Sequence, residues 1–390
     1  MSKTKISIFF FIVAIQSMAA NFAHPVTPTL IHNLKLPDYS FGLLFAGMAF
    51  TNFLFSPMWS KIVKKYSSKY VLGICCIGYG LAQAMFGFSS TLEYILIARM
   101  IAGFFVGGIM VSYLTYVIYS SNDQNRGKLL AMLATFTSVF ATFGYLIGGV
   151  AGTYSIQLSF ILQSVTLILS GILFYVFLDF DASKNSSFTL SDCNPLNSFK
   201  SLFQNTKIQY LLIMLCVLVT SLASTCFDQS FNYYIKDIFN FSSSYNGILK
   251  AITGLITLIF NMTLCVWIFK NTNVINSCKL VLLGCATCLF GLLGTSMILP
   301  FIVISLVFFG FNALYIPLLQ DITVHSDKSK DHYEIVGLYN SMKSLGMILG
   351  ALIAGYVYDV TVIAPFIIAA VLFVISIIIL HIFQKLNKGV

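Results

Sequence analysis

Apolar windows of about 20 residues, the length that crosses a bilayer, follow one another from Ile6 to Phe383 with only short polar breaks between them. They predict helices over 6–30, 40–62, 70–89, 94–118, 129–151, 155–178, 208–235, 244–268, 277–297, 299–319, 335–357 and 361–383. Inside each window the apolar residues run on rather than alternate with polar ones. That pattern excludes a membrane barrel and predicts an all-α membrane protein of twelve spans. The first window begins like a secretory signal, with Lys3 and Lys5 ahead of an apolar run that reaches small residues at Ser17–Ala20. It continues past Pro25 and Pro28, so it is expected to stay as a span.

Composition changes the choice of solvent. Apolar residues are 58% of the 390 and charged residues 9%, a surface that water would not hold in solution and lipid would. The net charge of +9 might suggest nucleic acid in a soluble protein, but here position explains its sign. With the N-terminus inside, nearly every Lys and Arg outside a span falls on the cytoplasmic side, leaving chiefly Lys35 and Lys236 outside. The expectation is a multi-pass plasma-membrane protein, bacterial by the economy of its loops, with both termini cytoplasmic. It is expected to act as a monomer and to have no nucleic-acid partner. Most of the nine cysteines lie in spans, and Cys285-x-x-Cys288 has no second pair and no nearby His, so no metal and no cofactor are expected. No nucleophile elbow, zinc helix or phosphate loop is present, which speaks against an enzyme.

The longest polar interruption divides the spans six against six. It sets an N-terminal bundle at 1–179, a cytoplasmic linker at 180–207 and a C-terminal bundle at 208–390. The halves resemble each other at a nearly constant offset: Trp59 matches Trp267, Lys69–Cys75 matches Lys279–Cys285, and Gly144–Gly149 matches Gly350–Gly355. A six-span repeat of this kind suits a two-bundle transporter with its site between the bundles.

Three motifs carry a family resemblance. Ser56-Pro57-Met58-Trp59, followed by Lys61, Lys64, Lys65, Tyr66, Lys69, Val71 and Leu72, resembles the signature loop of the major facilitator superfamily, S-P-L-W-G-K-L-S-D-K-Y-G-R-K-x-V-L in its drug–proton antiporters. Ser60 and Ser67 stand where that loop has glycines, Lys64 where it has aspartate, and Ser68 where it has arginine. Arg99, Gly103, Gly107 and Gly108 are similar to the family's span-four motif. Gly144-Tyr145-Leu146-Ile147-Gly148-Gly149 is similar to the antiporter motif G-P-x-x-G-G, with tyrosine for proline. The resemblance implies two six-helix bundles related by a pseudo-two-fold axis and small-molecule transport, with protons as the coupling ion in the antiporter branch. It also implies a cavity lined by spans one, four, seven and ten. The family's loop aspartate sits against the start of span eleven; here Asp331 and Glu334 precede that span and are expected to take the anionic role, pairing with Lys64 or Lys65. The glycines, including Gly350 and Gly355, are expected to serve helix packing.

Charges inside spans are functional candidates because each costs a few kcal/mol or more. Arg99, His24 and Asp228 fall at similar depth, about 10 Å from the outer surface at roughly 1.5 Å per residue. Asp228 is expected to carry the coupling proton, with Arg99 and His24 tuning it; the alternative is a permanent Arg99–Asp228 pair that only fixes packing. Asn21, Asn312, Tyr315 and Lys343 are candidate cavity residues. The sequence thus predicts a secondary transporter exporting small amphipathic compounds in exchange for protons. An importer or facilitator of the same fold is the alternative, and a non-transporting sensor is the outlying one.

Overall fold

A computed structural model describes residues 3–36, 40–122, 124–180, 207–239, 243–295, 297–326, 332–358 and 361–388. Among these residues every regular element is helical. The first half contains α1 (Lys3–Ala19), α2 (Thr27–Asn33), α3 (Ser40–Tyr66), α4 (Ser68–Phe88), α5 (Leu92–Ser120), α6 (Arg126–Tyr154) and α7 (Ile156–Phe177). The second contains α8 (Ile208–Asp237), α9 (Ser243–Phe260), a π-helical turn (Asn261–Cys265), α10 (Val266–Asn271), α11 (Val274–Leu292), α12 (Ile298–His325), α13 (His332–Tyr358) and α14 (Ala364–Lys388). Among the described residues ten stretches are long and apolar enough to cross a membrane, and α3 and the first helix, broken into α1 and α2, stand at the places of the two other expected spans. The linker expected at 180–207 falls outside the described residues except at its two ends.

The windows meet the helices within a few residues, apart from the first. There α1 ends at Ala19, and a tighter stretch leads to α2, which has a proline in its first turn. The structure groups into two compact units. One holds the described residues within Met1–Asn122, Phe136–Gln204 and Asp331–Ser341; the other holds those within Asp123–Thr135, Asn205–Lys330 and Met342–Val390. α6 and α13 therefore each contribute to both.

Glycines set the close approaches within each unit, since a helix can press against a neighbour's backbone only where no Cβ intervenes. On α6, a Cβ at Gly144 would strike Met18 O and one at Gly148 would strike Phe22 O. On α13, Gly346 lies in the same way against Leu218 O and Gly350 against Leu222 O of α8. By packing partner, then, Gly144 and Gly148 correspond to Gly346 and Gly350, one turn from the match that sequence similarity suggests. Gly103 of α5 lies against Met48 O and Thr51 Oγ1 of α3, and Gly107 against Asn52 Oδ1 and Ser56 Oγ. Gly149 and Gly355 face open space.

Candidate functional site

Pro25 has no N–H, so it cannot donate to Asn21 O as a helical residue would. His24 N–H donates to Asn21 O at 3.3 Å instead, which leaves Ala20 O without its usual helical donor. Two side chains fill that role, Gln163 Nε2 at 2.9 Å and Tyr79 Oη at 3.4 Å. Asn21 turns its own amide back to Ser17 O at 2.8 Å. The break between α1 and α2 thus carries His24, whose ring stacks on Tyr145 of α6 with centroids 5.5 Å apart.

Arg99 of α5 joins this cluster. It is only 7% exposed, lies in electrostatic range of His24, Tyr79 and Tyr145, and places its guanidinium 4.4 Å from the centre of the Phe86 ring. Nη1 reaches Met48 Sδ at 3.5 Å, and Nε has no hydrogen-bond partner among the described residues. Ring faces attract a cation, more so away from water, but they do not neutralise it. Within its own unit no described carboxylate pairs with Arg99. The arrangement is a buried, pre-positioned positive charge beside an imidazole, able to meet an anionic group.

The other unit holds the remaining membrane-embedded candidates. Asp228 is half-buried on α8. One turn away, Ser224 Oγ donates to Asn312 Oδ1 of α12 at 2.8 Å. Tyr315 is 5% exposed and sets its ring edge-on to Phe373 of α14. Lys343 is half-buried on α13, without an ion pair among the described residues.

Of the residues expected at a cytoplasmic gate, Lys61, Lys64 and Lys65 are half-buried near the end of α3, with Lys65 5.3 Å from the Tyr66 ring centre. Lys69 lies over Tyr70 and Tyr175. Glu334 is half-buried in the first turn of α13, and Asp331 lies outside the described residues.

Sequence reasoning missed a cluster of neutral hydrogen bonds between α3 and α13. Asn340 Nδ2 donates to Asn52 Oδ1 at 2.9 Å and to Ser56 Oγ at 2.7 Å, and Ser341 Oγ donates to Phe53 O at 2.7 Å. A Cβ on Gly337 would lie 2.5 Å from Ser60 Oγ, so the serine that replaces the signature glycine sits against a glycine on α13. The available signal was the four-residue spacing of Asn52, Ser56 and Ser60, which places all three on one face. A second missed group joins Arg126 Nη1 to His325 Nε2 at 2.8 Å, while His325 Nδ1 lies 2.8 Å from Asp321 O. Because the guanidinium can only donate, this His325 Nε2 accepts and Nδ1 carries the hydrogen.

The family profile of the Major Facilitator Superfamily matches residues 9–333. The chain belongs to that superfamily. It is accordingly a multi-pass membrane transporter of small molecules with the two-domain, twelve-helix fold, and not an enzyme. Among its relatives, Multidrug resistance protein 1 of Bacillus subtilis is 26% identical over 370 residues, covering 90% of this chain and 89% of that one. Quinolone resistance protein NorA of Staphylococcus aureus is 22% identical over 362 residues, covering 93% and 92%. Among solved structures, the human organic anion transporter MFSD10 superposes with a TM-score of 0.83 at 15% identity, over 96% of this chain and 98% of that one. A variant of the E. coli fucose:proton symporter FucP superposes at 0.71 and 15% identity, over 97% and 99%.

Proposed function

We propose that this transporter exports small amphipathic compounds in exchange for protons, by alternating access of two six-span bundles at 1–179 and 208–390 joined by the linker 180–207. It works as a monomer in the plasma membrane with both termini cytoplasmic. Asp228 carries the proton. A carboxyl that meets Arg99 in one conformation and leaves it in another exchanges the guanidinium for a proton, once per cycle. His24 shares or relays that proton. The Asn340–Asn52–Ser56 lock, flanked by the Lys61, Lys64, Lys65 and Lys69 loop and by Asp331 and Glu334, closes the cytoplasmic side and opens for substrate entry. The multidrug and quinolone resistance relatives support export, and the abundance of aromatic side chains suits an adaptable pocket.

The observation that carries this reading is the Arg99 cluster. A guanidinium buried in a spanning helix costs several kcal/mol, and here its own unit surrounds it with rings and a thioether rather than a carboxylate. Such a charge persists where it meets an anion during the working cycle. The test is reconstitution of the purified protein in liposomes with an internal pH dye and an imposed pH gradient, offering a lipophilic cation, a lipophilic weak acid, a sugar and an amino acid in turn. Proton movement linked to the amphipathic compounds is expected. Protons moving with the compound rather than against it would make this an importer.

A second reading is favoured by Arg99 and Lys343 together, two cations in spans with no described carboxylate partner in their own units. An amphipathic anion would then be the preferred cargo, as for the organic anion transporter MFSD10. In the same liposomes, that reading expects the weak acid to outcompete the lipophilic cation.

A further inference from the structure

A groove of about 560 Å³ opens between α11 and α14, lined by Asn276, Lys279, Leu280, Leu283, Ile377, Ile378 and His381. Its polar and apolar residues are segregated along its length. On α11 the lining residues 276, 279, 280 and 283 share one helical face, with Asn276 in the first turn, Lys279 and Leu280 in the second and Leu283 in the third. α14 runs the opposite way, with isoleucines first and His381 a turn later. The two polar ends coincide, because Gln384 Nε2 of α14 donates to Asn276 Oδ1 at 2.9 Å and Lys279 Nζ donates to Gln384 Oε1 at 2.6 Å. A neutral amide therefore holds Lys279 in place and leaves its charge uncancelled, and no described carboxylate lies within ion-pair distance of Lys279 or His381. The apolar end is open to the surroundings, with Leu280 67%, Leu283 47% and Ile378 53% exposed.

We propose that this groove binds an anionic phospholipid, its phosphate between Lys279 and His381 and an acyl chain along Leu280, Leu283, Ile377 and Ile378. Three features select this occupant. The groove has one polar and one apolar end, which suits a headgroup with a tail and not a free anion. Its polar end is basic, which suits an anionic rather than a zwitterionic headgroup. It lies at the ends of two spanning helices, where headgroups are found. With both termini inside, as proposed above, that end lies in the cytoplasmic leaflet. The proposal rests on that topology and not on the efflux reading, and binding rather than transport is measured, so either can fail without the other.

The test uses the purified full chain, equilibrated with equimolar phosphatidylglycerol and phosphatidylcholine and read by native mass spectrometry. Wild type is expected to retain phosphatidylglycerol preferentially, and Lys279→Gln to lose about tenfold of that preference, the worth of a charge-assisted hydrogen bond to the phosphate. Leu283→Trp, which fills the tail end, is expected to lower retention of both lipids. Lys385→Gln, on α14 but outside the groove lining, is expected to change nothing, and excess inorganic phosphate is expected to leave the lipid bound. Equal retention of the two lipids by wild type would overturn the proposal. So would a Lys385→Gln loss as large as that of Lys279→Gln, full displacement by inorganic phosphate, or a lipid-free dimer as the dominant species.

Discussion

Ser67 holds φ 83° and ψ 145°, a backbone conformation almost confined to glycine, at the position where the resembled loop has a glycine. The serine offsets part of that strain by capping α4, its Oγ accepting from Lys69 N–H at 3.3 Å. Because glycine at an N-cap costs only a few tenths of a kcal/mol while strain of this kind costs 1–3, Ser67→Gly is expected to stabilise the protein by about 1 kcal/mol. A higher melting temperature in detergent would show it; a lower one would mean that the cap outweighs the strain. Tyr145 is the parallel case. It stands where the antiporter motif has proline, and its meaning as the stacking partner of His24 depends on a neighbour from α1's end, which no one-dimensional pattern displays. Arg99, His24 and Asp228 stand out in the sequence for the opposite reason, since a charge in an apolar window is conspicuous wherever its partners lie.

At the scale of elements, continuous apolarity located the helices but not their interruptions. The first window still reads as one span through the break at 20–26, where only Asn21, His24 and the prolines Pro25 and Pro28 marked it. The π turn at Asn261–Cys265 carried no signal at all. It buries Asn261 completely, with neither amide atom hydrogen-bonded among the described residues. A π turn is often retained for function, and an unsatisfied buried amide costs about 1–3 kcal/mol. Asn261→Leu is therefore expected to raise the melting temperature and to lower the transport rate; unchanged transport would make the turn a passive irregularity. The glycine motifs were legible as small residues, but not which of them press on backbone. Gly148→Leu is expected to abolish folded protein, because its side chain would have to occupy the place of Phe22 O. Gly149→Ala, facing open space, is expected to keep folding and to gain up to about 1 kcal/mol of helix propensity. Detergent-extracted yield on size exclusion separates the two, and equal loss in both would refute the assignment of faces.

At the scale of the whole molecule, the span count and the family were readable because lipid imposes a regular length and the motifs occur in order. Packing adds what order along the chain does not contain. The first residues of α6 and of α13 group with the unit opposite to the rest of their own helices, and the Asn340 lock forms there. Neutral hydrogen bonds between residues 284 and 288 positions apart have no signature in a single sequence. If proton and cargo move in one cycle through Asp228, as proposed, wild type and Asp228→Asn should differ in proteoliposomes. Two quantities are followed, proton-linked movement of a lipophilic cation against its gradient and exchange of that cation at equilibrium without a pH gradient. The variant is expected to lose the first and keep the second, because alternation survives when the proton carrier is removed. Proton-linked transport at the wild-type rate in Asp228→Asn, or cargo movement without protons in the wild type, would contradict it.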